Sequence, residues 1–269
     1  MTNRKYTVVT GASSGIGYET AKAFAARDKN LILVARRKNN LTQLKKEILT
    51  LNENVDVLIF PTDLSVRENV LQLFDDLEPY ELETWINNAG FGMYGDLENN
   101  DLAKVEEIVQ LNVEALTLLS TLFVKKYRYV AGTQLINISS AGGYTIVPTA
   151  VVYCATKFYV SAFTEGLAHE LIQSKSEMRA KVLAPAATKT EFGQKANDLD
   201  TYDYDQAFGI YHTSQQMAQF LLSLYDSDLS VGHVNRETFK FELSDTLLPY
   251  AGQSKRNQNQ VLDSSGDKE

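Results

Sequence analysis

The sequence predicts an α/β protein of the doubly wound kind: a single domain with a mostly parallel sheet and helices on both faces. Short, fully apolar runs of strand length alternate with amphipathic helical patterns along the first two thirds of the chain. Those runs lack the in-out alternation of a half-exposed sheet, so both their faces are expected to be covered. A glycine-rich turn joins the first strand to the first helix, and ligands of such folds sit at the carboxyl ends of the strands.

Taken in order, residues 6–10 are a β-branched first strand, and residues 18–27, rich in alanine and glutamate, read as helix. Residues 31–35 form a second apolar run. Residues 40–50 place Leu41, Leu44, Ile48 and Leu49 at helical spacing. The third strand, 55–60, stops at Pro61, and helix 66–77 carries Val70, Leu73, Phe74 and Leu77 on one side. A short fourth strand covers 84–87, and 102–129 is one long helix or two abutting ones. Strand 134–139, helix 151–172 and strand 179–184 continue the pattern. Residues 189–214 lose it, carrying Phe192, Tyr202, Tyr204, Phe208 and Tyr211 among polar residues. Two readings stand for this stretch, a mobile lid or a partly ordered surface excursion. Helix 215–225 and a last strand at 238–243 follow, and 251–269 reads as a disordered polar tail. The predicted domain is 1–250, with a substrate-loop region at 186–214.

Composition narrows the function. Lysine and arginine total 26 against 34 aspartates and glutamates in 269 residues, a net charge of −8. That balance disfavours nonspecific nucleic-acid binding and gives no attraction to an anionic membrane. The single cysteine, Cys154, excludes an intrachain disulfide, and three scattered histidines make a zinc site improbable. No uninterrupted apolar run has the roughly 18 residues of a membrane span, and the N-terminal segment does not read as a signal peptide. A cytoplasmic location is expected.

The turn reads Thr10-Gly11-Ala12-Ser13-Ser14-Gly15-Ile16-Gly17, a GxxxGxG spacing that is neither GxGxxG nor a P-loop. Small residues there let backbone N–H groups and a helix N-terminus approach a phosphate; a tight turn without ligand is the plainer alternative. The second strand ends in Arg36-Arg37-Lys38, with no acid to hold the ribose hydroxyls of NAD. Arg36 could hold the 2′-phosphate of NADP, or belong to a solvated basic patch. Tyr153 and Lys157 stand four apart on one helix face, where an ammonium would lower the phenol pKa and equip it for proton transfer. Ser139 and Ser140 end the fifth strand.

On these residues the chain resembles the short-chain dehydrogenase/reductase family over about residues 5–190. The matching features, in order, are Thr10-Gly11-x-x-x-Gly15-x-Gly17, Asp63 after the third strand, Asn87-Asn88-Ala89-Gly90, Asn112 in a helix, Ser140, and Tyr153-Cys154-Ala155-Thr156-Lys157. Ser140 stands 13 residues before Tyr153, as the family pattern asks. The resemblance implies a Rossmann-type fold and an oxidoreductase that moves a hydride between NADP(H), preferred over NAD(H), and a carbonyl or alcohol substrate. It implies Tyr153 as general acid or base, Lys157 lowering its pKa and holding the nicotinamide ribose, and Ser140 bonding the substrate oxygen. Asn112 would support a proton relay to Lys157. The implied cofactor contacts are Gly11, Ser13, Ser14, Gly15, Ile16, Gly17, Arg36, Asp63, Asn88, Ala89, Gly90, Asn112, Tyr153, Lys157, Thr188 and Thr190. Family members are commonly homodimers or homotetramers. Non-redox chemistry of the same family (epimerase or dehydratase) and a non-catalytic NADP(H)-binding scaffold are the competing readings.

The chain departs from the family pattern after the sixth strand, where Pro185-Ala186 replaces the usual Pro-Gly. If that backbone needs positive φ, alanine there costs about 1 kcal/mol or more. The C-terminal Val231-Gly232-His233-Val234-Asn235 also differs from the family's glycine-rich strand. Candidate pocket walls are Phe91, Met93, Tyr94, Gly142, Gly143, Tyr144, Ile146 and Phe192, which point to an apolar or aromatic carbonyl pocket; core packing explains several of them equally well, and Lys189 and Lys195 are near enough to keep a carboxylate or phosphate substrate open.

Overall fold

The computed structural model describes residues 4–251; the expected tail lies, beyond Ala251, outside the described residues. The first six strands are β1 (Lys5–Thr10), β2 (Asn30–Ala35), β3 (Val57–Pro61), β4 (Glu81–Asn87), β5 (Gln134–Ile138) and β6 (Arg179–Ala184). Two two-residue strands, β7 (Thr188–Lys189) and β8 (His212–Thr213), precede β9 (Val231–Val234) and β10 (Phe241–Ser244). The main sheet runs β10-β9-β6-β5-β4-β1-β2-β3, parallel except for the antiparallel edge strand β10. Strand order reverses between β1 and β4, and that crevice is where such a sheet opens to ligands.

The strands are buried on both faces because adjacent residues feed two separate cores. Val9, Leu31 and Leu33 pack under α1 (Gly15–Ala25), α2 (Lys38–Leu51) and the last helix, α9 (Ser214–Asp226). Val8, Ile32, Val34 and Trp85 pack on the other face, under α3 (Arg67–Asp76), α5 (Leu116–Tyr127) and α6 (Val151–Gln173). β9 pairs parallel with β6; Gly232 and His233 break its apolar run, so the sequence pattern does not mark it as a strand.

The long helix predicted at 102–129 is one continuous rod with a π-helical turn in its middle: α4 (Leu102–Val109), the π segment Gln110–Ala115, then α5. By length and composition Leu102–Tyr127 could cross a membrane, with a mean hydropathy of 1.4 over its best window. Its Leu119, Phe123 and Tyr127 instead pack on the sheet, as a core helix does.

The excursion after β6 has regular secondary structure. It folds into α7 (Phe192–Asn197) and α8 (Tyr204–Phe208), and its ends are drawn together by the parallel pair β7–β8. α7 stops at Asp198, in the left-handed conformation at φ 54°, and Lys104 from α4 bonds the Asp198 carboxylate at 2.6 and 2.7 Å.

Candidate active site

The carboxyl ends of β1, β2, β4, β5 and β6, together with the excursion, enclose a cavity of about 730 Å³. Every expected catalytic and cofactor residue lines it except Gly17 and Asn112; of the expected pocket walls Phe91, Tyr94, Gly142 and Phe192 line it, whereas Met93 and Gly143 are buried elsewhere, Tyr144 turns to Glu165 and Ile146 is exposed. The glycine loop is built as a cradle. Gly11 and Gly15 hold φ +66° and +60°, which side chains rarely adopt. Gly17 lies beneath the loop. A Cβ there would stand 2.4 Å from Asn88 Nδ2 and 2.6 Å from Gly11 O, so glycine is what lets α1 approach β4. Ser14 caps α1 without a side-chain hydrogen bond, and no acidic residue stands in the first turn. These unsatisfied helical N–H groups fit a diphosphate.

Thr10 stitches the loop to β4. Its hydroxyl accepts from Asn88 N at 2.9 Å and Ala89 N at 3.0 Å, while Asn88 Nδ2 donates to Thr10 O at 2.9 Å. Asn87 does not line the cavity. It is a buried hub that accepts from Trp85 Nε1 and donates to Ser120 Oγ and Asn137 Oδ1. Asp63 lines the cavity and also caps its own turn, accepting from Ser65 N and Oγ at 3.1 and 2.7 Å.

The two arginines at the end of β2 go separate ways. Arg36 lines the cavity on the side of Asp63, with Nη1 3.0 Å from Glu107 and 3.9 Å from Asp63. Arg37 lies on the glycine loop, donating to Ser13 Oγ at 3.2 and 3.3 Å and to Ser14 Oγ at 2.7 Å. Its far edge forks onto Glu191, at 3.1 and 2.8 Å. Burial would raise the Glu191 pKa, but the hydrogen bonds from Arg37 and Lys195 outweigh it and hold the carboxyl down at about 2. Arg37 and Glu191 are the site residues that sequence reasoning passed over. The only signal for either was adjacency, to Arg36 and to Thr190 respectively.

At the other end of the cavity stand Ser140, Tyr153 and Lys157. Tyr153 and Lys157 lie one turn apart on α6, 8% and 7% exposed. Lys157 Nζ donates to Ile138 O at 2.8 Å and lies 5.9 Å from the centre of the Tyr153 ring. Ser140 Oγ accepts from Gly142 N at 3.0 Å. The sequence reading expected the ammonium to pull the phenol pKa down. In the structure burial dominates both groups, pushing Tyr153 well above the usual phenol range against an opposing hydrogen bond with Ser140. The same burial pushes Lys157 down to about 8. Ser139 is structural, bonding Lys157 O at 2.9 Å and Ser161 Oγ at 2.7 Å.

Asn112 sits in the π turn behind this group. Its Nδ2 donates to Phe91 O at 2.9 Å and Thr156 Oγ1 at 3.1 Å, and its Oδ1 accepts from Phe91 N at 3.2 Å. It holds the loop after β4 against α6, and a Cβ on Gly90 would lie 2.9 Å from its Oδ1. Ala186 is not among the residues with positive φ, so alanine brings no left-handed strain there. Thr188 lines the cavity, and Thr190 rests on Gly15, where a Cβ would meet Thr190 Cγ2 at 3.0 Å.

The family model described as "short chain dehydrogenase" matches residues 5–200. A Homo sapiens protein named dehydrogenase/reductase SDR family member 11 is 31% identical over 199 residues, covering 72% of this chain and 76% of that protein. Among solved structures, a short-chain dehydrogenase from Sphingobium yanoikuyae in complex with NADPH is 27% identical, covers 87% of this chain and 89% of its own, and superposes with a TM-score of 0.79. The bulky-bulky ketone specific alcohol dehydrogenase from Comamonas testosteroni is 26% identical, covers 86% of each chain and gives a TM-score of 0.74. With the glycine cradle and the Ser140, Tyr153 and Lys157 group in one cavity, the chain belongs to the short-chain dehydrogenase/reductase family of oxidoreductases.

Proposed function

We propose that residues 1–250 form one Rossmann-type domain that reduces a carbonyl, or oxidises the matching alcohol, with NADP(H) as the preferred partner. The observation that carries this reading is the meeting of Ser140, Tyr153 and Lys157 at one end of a cavity whose other end is the glycine cradle. The cofactor would be held by Gly11, Ser13, Ser14, Gly15 and Ile16, by Asp63 and Asn88 to Gly90, and by Thr188 and Thr190. When bound, nicotinamide supplies or accepts the hydride.

Ser140 donates a hydrogen bond to the substrate oxygen and orients it. Tyr153 gives its proton to that oxygen during reduction and takes it back during oxidation. Its burial keeps the phenol protonated and ready to donate. Lys157 carries an ammonium up to about pH 8, placed to bond the nicotinamide ribose and to favour the phenolate once the proton has left. Asn112, through its bonds to Phe91 and Thr156, positions the loop and helix that meet at Lys157.

Arg36 and Arg37 support NADP over NAD, since no acid ends β2 and Arg37 lies on the loop serines. The NADPH bound to the Sphingobium relative and the ketone specificity of the Comamonas relative agree with this reading. We further take the protein to be cytoplasmic and a homodimer or homotetramer joined through α5 and α6. Titration with NADPH and NADH, followed by turnover of carbonyl substrates by wild type and Tyr153→Phe, tests the proposal. Tight NADPH binding is expected in both proteins and turnover in wild type alone; equal turnover by the two would refute the role of Tyr153.

A further inference from the structure

The substrate end of the cavity has an aromatic wall. Phe192 packs against Tyr153, ring centres 5.3 Å apart and 56° between planes. Phe91, Tyr94 and Val147 join them in one apolar cluster. The excursion adds Tyr202 and Phe208, packed on each other with ring centres 6.3 Å apart.

Two of these rings are seated on glycines. A Cβ at Gly92 would lie 2.3 Å from Phe192 Cζ, and one at Gly193 would lie 2.4 Å from Tyr202 Cδ1. The rings therefore rest against bare backbone, and a slot lined by them is fixed in shape rather than adaptable.

Charge is absent from this wall. Glu191 is paired with Arg37 and with Lys195, 3.0 Å away, so a charged substrate would have to displace the Glu191 carboxylate to reach Lys195. Arg236 also lines the cavity, but on the β9–β10 hairpin. Its neighbour Phe239 stacks on His212 of β8 and joins the core under α1 and α9, not the Tyr153 cluster. The cation beside Tyr153 is Lys157, whose Nζ is held on Ile138 O at 2.8 Å and is given to the nicotinamide ribose in the reading above, so a carboxylate or phosphate entering there would be desolvated with no further cation at that end to receive it.

Two phenols line the cavity with hydroxyls that make no hydrogen bond among the described residues, Tyr94 and Tyr202, and of these Tyr94 is the one beside Tyr153. Tyr94 also lies close to Tyr202 and Cys154. A half-buried phenol with no protein partner is a ready donor to a ligand oxygen.

On the basis of the oxidoreductase reading above, we infer that the substrate is a neutral, ring-bearing ketone or secondary alcohol with a second neutral oxygen bound by Tyr94. The ring would lie against Phe192 and Tyr202 while Ser140 and Tyr153 hold the reacting oxygen. Tyr94 then sets specificity and takes no part in proton transfer.

Three matched probes test this: acetophenone, 3-hydroxyacetophenone and 3-acetylbenzoate. Binding of each to the NADP⁺-saturated enzyme is measured by calorimetry, and kcat/KM is measured with NADPH. The carboxylate is expected to bind about tenfold or more weaker than acetophenone, and the hydroxyl to bind tighter by about threefold or more. In Tyr94→Phe the advantage of the hydroxyl should vanish while the penalty on the carboxylate remains. Binding of 3-acetylbenzoate as tight as acetophenone, or no binding of either neutral probe, overturns the inference. An unchanged hydroxyl advantage in Tyr94→Phe overturns the role of Tyr94. Neutral probes that bind with this ranking but are never reduced would instead refute the oxidoreductase reading and leave the pocket chemistry standing.

Discussion

Replacement of Arg37 by alanine should convert a cofactor preference into near indifference. Arg37 lies on Ser13 and Ser14, where a 2′-phosphate beside the glycine loop would meet its guanidinium. Hydrogen bonds to a charged group are worth ~1.5–3 kcal/mol. The loss corresponds to about ten- to a hundredfold in the NADPH dissociation constant. NADH, lacking the phosphate, should change by no more than about threefold. To meet the phosphate, Arg37 must loosen its fork on Glu191. That pair is 38% and 39% exposed, so giving it up costs at most ~1 kcal/mol. Glu191→Gln should therefore tighten NADPH by up to about fivefold, since the phosphate no longer competes with a carboxylate. The assay is fluorescence titration of each variant with both reduced cofactors, with Arg36→Ala alongside. Arg36 is engaged with Glu107 and Asp63, so its variant should follow the same direction with a smaller effect. Equal weakening of NADPH and NADH in Arg37→Ala, or weaker NADPH binding in Glu191→Gln, would refute the reasoning.

Other expectations can be checked with standard measurements. Gly17→Ala gains helix propensity of under ~1 kcal/mol but forces its methyl onto Asn88 and Gly11. A net loss of ~1–3 kcal/mol, or roughly 3–9 °C in Tm by calorimetry, should follow. Because burial holds Lys157 down to about 8, its ammonium is lost as pH rises through that value. NADPH affinity should fall above about pH 8 in wild type, and a similar fall in Lys157→Met would assign the titration elsewhere. Glu165, 2% exposed, accepts from Tyr144 Oη at 2.5 Å and from Leu247 N and Leu248 N at 2.7 and 2.8 Å. Glu165→Ala strands those donors and should cost ~2–4 kcal/mol in urea denaturation; a change under 1 kcal/mol (about the error of the method) would contradict the clamp. Glu191, held at about 2, stabilises the fold above the unfolded carboxylate pKa and loses that contribution as pH falls from near 4.5 toward 2. Wild type and Glu191→Gln should thus converge in stability at the acid end.

Much of the fold was legible because buried parallel strands write themselves as apolar runs, as in Leu31 to Ala35. That Ser140, Tyr153 and Lys157 meet in one cavity was legible through the resemblance, whose pattern places the serine at a strand end and the tyrosine and lysine on one helix face. What escaped has physical causes. β7 and β8 are two residues each and show no periodicity. The π turn at Gln110–Ala115 shifts the helical register by a fraction of a turn, which an apolar pattern absorbs without trace. Arg36 and Arg37 are adjacent and chemically identical. Which one lies on the loop is decided by distant acids, Glu107 and Asp63 for one and Glu191 for the other. The doubt at Ala186 could be settled only by its backbone angle.

The parallel contact between β7 and β8 has a consequence for engineering and descent. Because Thr188–His212 and Lys189–Thr213 are neighbours, the 190–211 stretch leaves and re-enters the scaffold at one point. Lengthening or shortening a loop with fixed ends changes its closure entropy only slowly, by ~0.6 kcal/mol per doubling. That stretch is therefore an exchangeable cassette. Transplanting another sequence between the same two anchors would redraw the aromatic wall, and with it the Thr190 contact on Gly15 and the Glu191 fork on Arg37, while the sheet stays as it is.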